Sequence, residues 1–242
     1  MSPSRRDRLR QETLAEIREA ARTLLTTRGT AAVTINAVAR EVGMSGPALY
    51  HYFSGHDELV QAVTADFFAE LAAEMRAARD AHGADGSVSA RLLATCRVMR
   101  GWAIAHPAEF GWIFTSHVPP TVTRSADSAR NLAGRDFELV FQEEIATLWE
   151  TAPFPVPDDL PPAVREQLSA YVGKLGVKLP VEAVYVTTTC WIRLYGLLCM
   201  EVLNQLDYIY TDVEPIFEEC LKDLAGLLGL DYEPPPARPS AL

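Results

Sequence analysis

Cysteine is scarce in this sequence, and none of it pairs as C-x-x-C: Cys96, Cys190, Cys199 and Cys220 stand apart inside apolar helical patterns. That spacing argues against a disulfide framework and for buried free thiols in a reducing cytoplasm. A thiol sensor is the alternative, with Arg97 and Arg193 as the adjoining basic residues. Histidine is equally sparse. His51, His56, His82, His106 and His117 include no i, i+4 pair and no H-E-x-x-H, so no metal site is expected. Missing too are G-x-G-x-x-G, a Walker loop and a G-x-S-x-G elbow, which leaves no expected cofactor. The acidic pairs Asp158-Asp159 and Glu218-Glu219 fall in a Pro-rich loop and on a helix face, where solvated surface is a better reading than acid–base chemistry. These absences point away from an enzyme. No long apolar run is free of polar interruption, and the Arg-rich N-terminus has no apolar core of a signal peptide. A cytoplasmic protein with no membrane contact is the expectation.

A chain of 242 residues is long enough for two modest units or one large one. Its net charge of −10 argues at first against nucleic acid. The distribution says otherwise. Residues 1–60 hold eight Arg against seven Asp or Glu, whereas the remainder holds fourteen basic and twenty-five acidic residues. Arg5, Arg6, Arg8 and Arg10 face only Asp7 at the start. A basic arm and a near-neutral head on an acidic body suit DNA contact at one end. A solvated, frayed terminus is compatible with the same pattern.

The stretch from Thr34 to Phe53 carries the sharpest signal. Thr34 is a good N-cap, and Val38 and Val42 stand one turn apart. Gly43 permits positive φ in a tight turn. Ser45 is a second N-cap, Pro47 suits a first turn, and Leu49 and Phe53 repeat at i, i+4. Two short helices around such a turn form a helix-turn-helix, whose second helix fits a major groove. Ser45, Gly46, Pro47 and Ala48 are small enough to let backbone approach base edges, and Tyr50, His51 and Tyr52 carry polar tips. On pattern alone, a surface hairpin with half-buried tyrosines is the competing reading.

Elsewhere the periodicity is helical throughout. A first helix is expected from about Arg6 to Arg28, stopped by Gly29, and a fourth from near Ser54 to His82-Gly83. Further helices are expected at Val88 to Ala105, from Pro107, from Asn131 or Gly134 to Trp149, and at Ala163 to Val172. Val118 to Ala129 reads as a mobile surface loop, and Thr151 to Pro162 as an extended Pro-rich connector. A long helix from Pro180 to about Leu206 is apolar nearly all round, which calls for burial on every side. A last helix, Val213 to Leu228, is capped by Asp212 and stopped by Gly229. These two helices, paired with their copies across a two-fold axis, would make a four-helix bundle and a homodimer. Both could equally belong to a monomeric core. Trp102, Phe110, Trp112, Phe114, Trp149, Trp191 and Tyr195 could line an apolar pocket, with His106, Arg193 and Tyr195 orienting a ligand. The same residues could as well be core.

The first sixty residues resemble the DNA-binding domain of the tetracycline-repressor-like (TetR) family of bacterial regulators. The matching residues are Ile17 to Ala21, Leu24-Leu25, Arg28-Gly29, Thr34-Ile35, Val38-Ala39, Gly43, Ser45, Leu49 to Phe53 and Glu58-Leu59. Further on, Trp102-Ala103 to His106-Pro107, Trp191, Tyr195-Gly196 and Glu201 resemble the family's Trp-His-Gly subgroup, with Tyr195 in place of the His. The resemblance implies an all-α fold: a helix-turn-helix domain at 1–53, a ligand-binding and dimerisation domain at 54–230, and a disordered tail at 231–242. It implies a transcriptional regulator, a repressor that grips a near-palindromic double-stranded operator as a dimer and is released by a small apolar or aromatic effector. Thr34, Tyr50, Tyr52 and His56 would position the phosphate backbone, with Ser45 to Ala48 and His51 near bases. His56 stands where the family usually has a phosphate-binding Lys, which puts that contact in doubt or makes it pH-sensitive. The alternatives are a DNA-binding regulator that senses no ligand and a helical enzyme that uses the aromatic cavity.

Overall fold

A computed structural model describes residues 4–83, 86–115, 127–173 and 178–235, and every regular element among them is helical. Helix α1 spans Arg5–Arg28. Ser4 opens it with a reciprocal capping box, its Oγ accepting from the Asp7 N–H while Asp7 accepts from the Ser4 N–H, both at 3.2 Å. Its apolar stripe buries Ile17, Ala20, Ala21, Leu24 and Leu25. Gly29, at φ 80°, ends it. After a 3-10 turn at Thr30–Ala32 come α2 (Ile35–Glu41) and α3 (Gly46–Leu49), then α4 (His56–Asp80) and α5 (Val88–Ala105).

Helix α6 is short, Pro107–Phe110, and runs into one wider π-type turn at Gly111–Thr115. The Trp112 indole N–H donates to Thr64 Oγ1 at 2.9 Å, and Phe114 meets Phe68 edge-on with ring centres 5.7 Å apart. Then follow α7 (Ala129–Thr151), α8 (Pro162–Val172), α9 (Val181–Val202) and α10 (Glu214–Leu227).

Three boundaries differ from the sequence expectation. Helix α7 starts at Ala129 because Ser128 Oγ accepts from the Asn131 N–H, and Gly134 sits inside the helix facing the Phe68 ring. Helix α9 stops at Val202, not Leu206. Asn204 takes φ 54°, and the Gln205 N–H bonds back to Met200 O at 2.8 Å, a left-handed helix stop. Residues 231–233, expected in a disordered tail, are tied down. Ser89 donates to Asp231 O, the Tyr232 hydroxyl donates to Glu218 at 2.7 Å, and Arg97 donates to Glu233 O at 2.7 Å. The rest of the expected tail, 236–242, and positions 118–126 of the expected loop lie outside the described residues.

The chain forms two compact units, Met1–Leu71 with Ala105–Phe137, and Ala72–Ile104 with Glu138–Leu242. The first unit takes in part of α4 and all of α6 because these helices pair with α1 through charged and apolar contacts. The second unit packs Leu92, Ile145, Leu148, Phe154, Leu179, Val184 and Val186 into one core. Around it, α5 supplies arginines to three other helices: Arg91 to Glu144, Arg97 to Glu218, and Arg100 to Glu201. The thiols sit quietly in this setting, with Cys96 pushed up by burial to about 12 and Cys190 to about 11. Such groups are inert at neutral pH, as expected of structural cysteines.

Glu218 is the acid-sensitive point of this unit. Burial alone would raise its pKa, but the hydrogen bonds from Arg97 and Tyr232 outweigh burial and hold it below the usual carboxylate value. A carboxyl depressed on folding stabilises above its unfolded pKa and loses that contribution as pH falls through the folded value. Glu218→Gln is therefore expected to cost about 1–2 kcal/mol at pH 7. Urea midpoints at pH 7 and pH 4 should show the variant less sensitive to acid than the parent; parallel shifts at both pH values would remove the role.

Candidate nucleic-acid interface

The helix-turn-helix is built from local chemistry. Thr34 Oγ1 accepts from the Ala37 N–H at 3.2 Å to start α2, and Ser45 Oγ accepts from the Ala48 N–H at 3.3 Å to start α3. Between them Gly43 holds φ 69°, a left-handed turn that suits glycine. Gly46 lies close against α2: an added Cβ would sit 2.7 Å from Asn36 Oδ1. Leu49 and Phe53 are buried and anchor α3, so its remaining surface is turned outward.

None of the nine expected DNA-side residues is buried. Thr34, Ser45, Pro47, Tyr50, His51 and His56 are exposed, and Gly46, Ala48 and Tyr52 are half-buried. Tyr50 stands out, with 55% of its surface open. Tyr52 lies under the Arg10 guanidinium, 5.2 Å from ring centre to cation. His56 has a local partner: Nε2 lies 2.7 Å from Val33 O. A carbonyl only accepts, so Nε2 carries the proton. Nδ1 lies 4.0 Å from Asp57 Oδ1, and in the neutral ring it accepts where a lysine would donate.

The eight expected ligand-side residues divide between the two units. His106, Phe110, Trp112 and Phe114 belong to the first unit, and Trp102, Trp149, Trp191 and Tyr195 to the second. Trp102, Phe110 and Trp112 are buried. Phe110 and Phe114 pack 4.9 Å apart, with Phe114 5.8 Å from Phe137. In the second unit Trp191 stacks on Tyr195 at 5.6 Å with Phe141 6.1 Å away, while Trp149 meets Phe154 edge-on. A cleft of about 710 Å3 opens in the first unit, lined by Arg18, Arg22, Glu41, Asp66 and Phe67 among others. None of the eight lines it.

Sequence reasoning missed the ionic centre of the first unit. Arg22 on α1 donates to Glu70 on α4 at 2.6 Å and to Glu109 on α6 at 2.9 Å, with its guanidinium 5.3 Å from the Phe67 ring centre. His106 Nε2 lies 3.9 Å from Glu70. The hydrogen bond that Arg22 donates to Glu70 leads the effects that raise the Arg22 pKa against the opposing cost of burial, so its charge is permanent. These partners lie 48 and 87 residues away in sequence, which no local pattern reveals.

An exposed, doubly capped helical pair beside a basic arm defines a helix-turn-helix regulator of transcription, and comparison with known proteins gives the family. The family model described as bacterial regulatory proteins, tetR family, matches residues 17–63, and that described as tetracyclin repressor-like, C-terminal domain, matches residues 92–224. The chain is 30% identical over 235 residues to HTH-type transcriptional regulator Rv1816 of Mycobacterium tuberculosis, covering 93% of this chain and 95% of that protein. The regulator Mb1846 of Mycobacterium bovis matches to the same extent. The crystal structure of the regulatory protein SCO4313 superposes with a TM-score of 0.71 at 30% identity, over 93% of this chain and 100% of that one. A tetR family regulator from Shewanella sp. PV-4, at 16% identity, covers 89% of this chain and 95% of its own with a TM-score of 0.58, a likeness of fold. The chain belongs to the TetR family of DNA-binding transcriptional regulators.

Arg22→Met is expected to leave the Glu109 carboxylate buried without its cation, at a cost of about 2–4 kcal/mol. By contrast, Lys222→Met, which removes an exposed pair with Glu219, should cost less than about 0.5 kcal/mol. Thermal unfolding of both variants checks the contrast; equal melting temperatures would mean that the fork contributes nothing.

Proposed function

We propose that the protein is a cytoplasmic, ligand-responsive repressor that grips a near-palindromic operator as a homodimer and lets go when a small apolar or aromatic effector binds. The observation that carries this reading is the apolar stripe on α9. Tyr185, Ile192, Met200 and Leu203 are exposed along it, and Ile192 leaves 63% of its surface open. At 3.6 residues per turn these positions share one face with Gly196, where a second backbone can come close. By length and composition α9 could also cross a membrane. Its place in a family of DNA-binding regulators favours a protein partner, and a second copy supplies an identical stripe. On α10, Leu227 adds to the exposed apolar surface, whereas Leu221 and Leu224 turn into the chain's own core.

A two-fold dimer presents two α3 helices, and these suit half-sites one helical turn or a multiple apart. Thr34, Tyr50, Tyr52 and His56 lie toward phosphates in this reading, and Ser45 to Ala48 and His51 toward bases. For the effector, the half-buried stack of Trp191, Tyr195 and Phe141 in the second unit is the better lining, since Trp102, Phe110 and Trp112 are committed to core. The Trp191 and Tyr195 positions also support the Trp-His-Gly subgroup. An effector that binds better in one arrangement of the dimer than in another changes operator affinity, and the coupling is reciprocal.

The test is a footprint on the DNA flanking the protein's own gene, repeated with a panel of apolar and aromatic metabolites. Two protected half-sites, lost with one class of metabolite, are the expected result. Protection indifferent to every metabolite would leave a regulator that senses no ligand; no protection even at low salt would defeat the DNA reading. For the dimer, Ile192→Asp is expected to sediment as a monomer and to weaken operator binding at least tenfold. An intact dimer would move the interface off α9.

A further inference from the structure

Helix α3 is one turn long. A single turn does not hold itself, so its geometry has to be imposed from outside. Capping by Ser45 fixes its start, and Leu49 and Phe53 fix its buried side. The segment 50–52 at its end has a further tie. Arg10 of α1 lies 5.2 Å above the Tyr52 ring centre, and its Nη1 and Nη2 donate to the His51 carbonyl at 3.5 and 3.4 Å. The hydrogen bonds are long, so the cation–ring contact carries the larger share of the tie. Arg10 thereby brings one positive charge to the His51 carbonyl. Its own helix is anchored by Ile17, Ala21 and Leu24.

We propose that Arg10 is a positioning residue for the DNA-reading segment. It clamps Tyr52 and the His51 backbone to α1, and so sets where the His51 ring and the Tyr50 and Tyr52 hydroxyls meet DNA. Its place in the basic arm with Arg5, Arg6 and Arg8 suggests an ordinary phosphate contact instead. The geometry assigns a different task, because two of its five donors and one ring face are already engaged within the protein. Arginine suits the clamp better than lysine, since the planar guanidinium stacks and forks at once. The proposal rests on the DNA-binding reading and deepens it.

The two roles leave different traces in salt. A phosphate contact acts on any duplex, and its loss reduces the slope of log affinity against log salt by about one. A positioning residue acts on sequence discrimination. The experiment measures binding of the full chain and of Arg10→Ala, Arg10→Lys and Tyr52→Leu to two duplexes over a salt series: the footprinted operator and a random sequence of equal length. Arg10→Ala is expected to weaken operator binding about tenfold while leaving the random duplex and the salt slope nearly unchanged. Arg10→Lys should recover part of the loss. Tyr52→Leu, which removes the ring and leaves Arg10 in place, should lose similar discrimination between the two duplexes beside the uniform loss that its missing hydroxyl costs on both, and the double variant Arg10→Ala/Tyr52→Leu should lose little more discrimination than either alone. Should Arg10→Ala prove unstable by circular dichroism, Tyr52→Leu and Arg10→Lys decide the matter. Equal losses on both duplexes with a shallower slope would make Arg10 a phosphate contact and overturn the proposal, as would unchanged discrimination. A parent protein that binds both duplexes alike would instead defeat the operator reading on which the proposal rests, and one that binds neither would defeat the DNA-binding reading itself.

Discussion

The fork from Arg22 to Glu70 and Glu109 is the constraint on which the first unit turns. Glu109 is 4% exposed, too deep for an ionised carboxylate without a cation beside it. Arg22 answers that need from α1, holds Glu70 with its other nitrogens, and covers Phe67 with its face. One side chain thus joins three helices through groups of fixed direction. Sliding α1 by a turn would strand a charge on α6 and another on α4. Helix α2 packs onto α1 and α3 packs onto α2, so the orientation of the helix-turn-helix within this unit follows from where Arg22 holds α1. A displacement of α6 must either carry α1 with it or break a charged hydrogen bond, and the second course is costly in a water-poor setting.

What the sequence made legible was chemistry that acts within about four residues. Thr34 and Ser45 cap as hydroxyls at helix starts do, and Gly29, Gly43 and Gly229 take positive φ where stops and turns need it. The apolar stripes of α1, α4 and α5 were likewise readable, because burial follows the 3.6-residue period. Less legible was anything decided by a distant partner. Asn204 is the local exception: its own left-handed backbone ended α9 early, just after an apolar run that promised another turn. Residues 231–233 looked like tail on composition, yet Arg97, Ser89 and Glu218 were waiting for them. The aromatic residues were the hardest to place. Their type says that they avoid water, but not which neighbours they avoid it with, and they divided between two units.

The charge pattern illustrates the same limit. Acidic excess beyond residue 60 suggested a solvated surface. Several of those carboxylates are in fact internal partners: Glu144, Glu201 and Glu218 are each paired with an arginine of α5 and largely covered. Arg100 does double duty, pairing with Glu201 while its guanidinium lies 5.1 Å from the Phe217 ring centre. Pairs so placed contribute less to net stability than to a unique arrangement of helices, since any other packing would leave a charge unmet. The acidity that remains on the outside has the wrong sign for DNA, whereas the first sixty residues are near neutral and begin with a basic arm.

Exposed large side chains separate by chemistry in a way that fits two kinds of contact. Tyr50 ends in a hydroxyl, can hydrogen-bond a wet, charged surface, and loses little by standing in water between encounters. Ile192 and Leu203 have no such tip. Left in water, an aliphatic side chain of this size forgoes about 1.5–3 kcal/mol, and a stripe of them forgoes several times that. A wet, transient contact tolerates the first arrangement. Only a lasting, dry contact recovers the second. The α3 end therefore suits a partner that comes and goes with salt, and the α9 stripe one that stays.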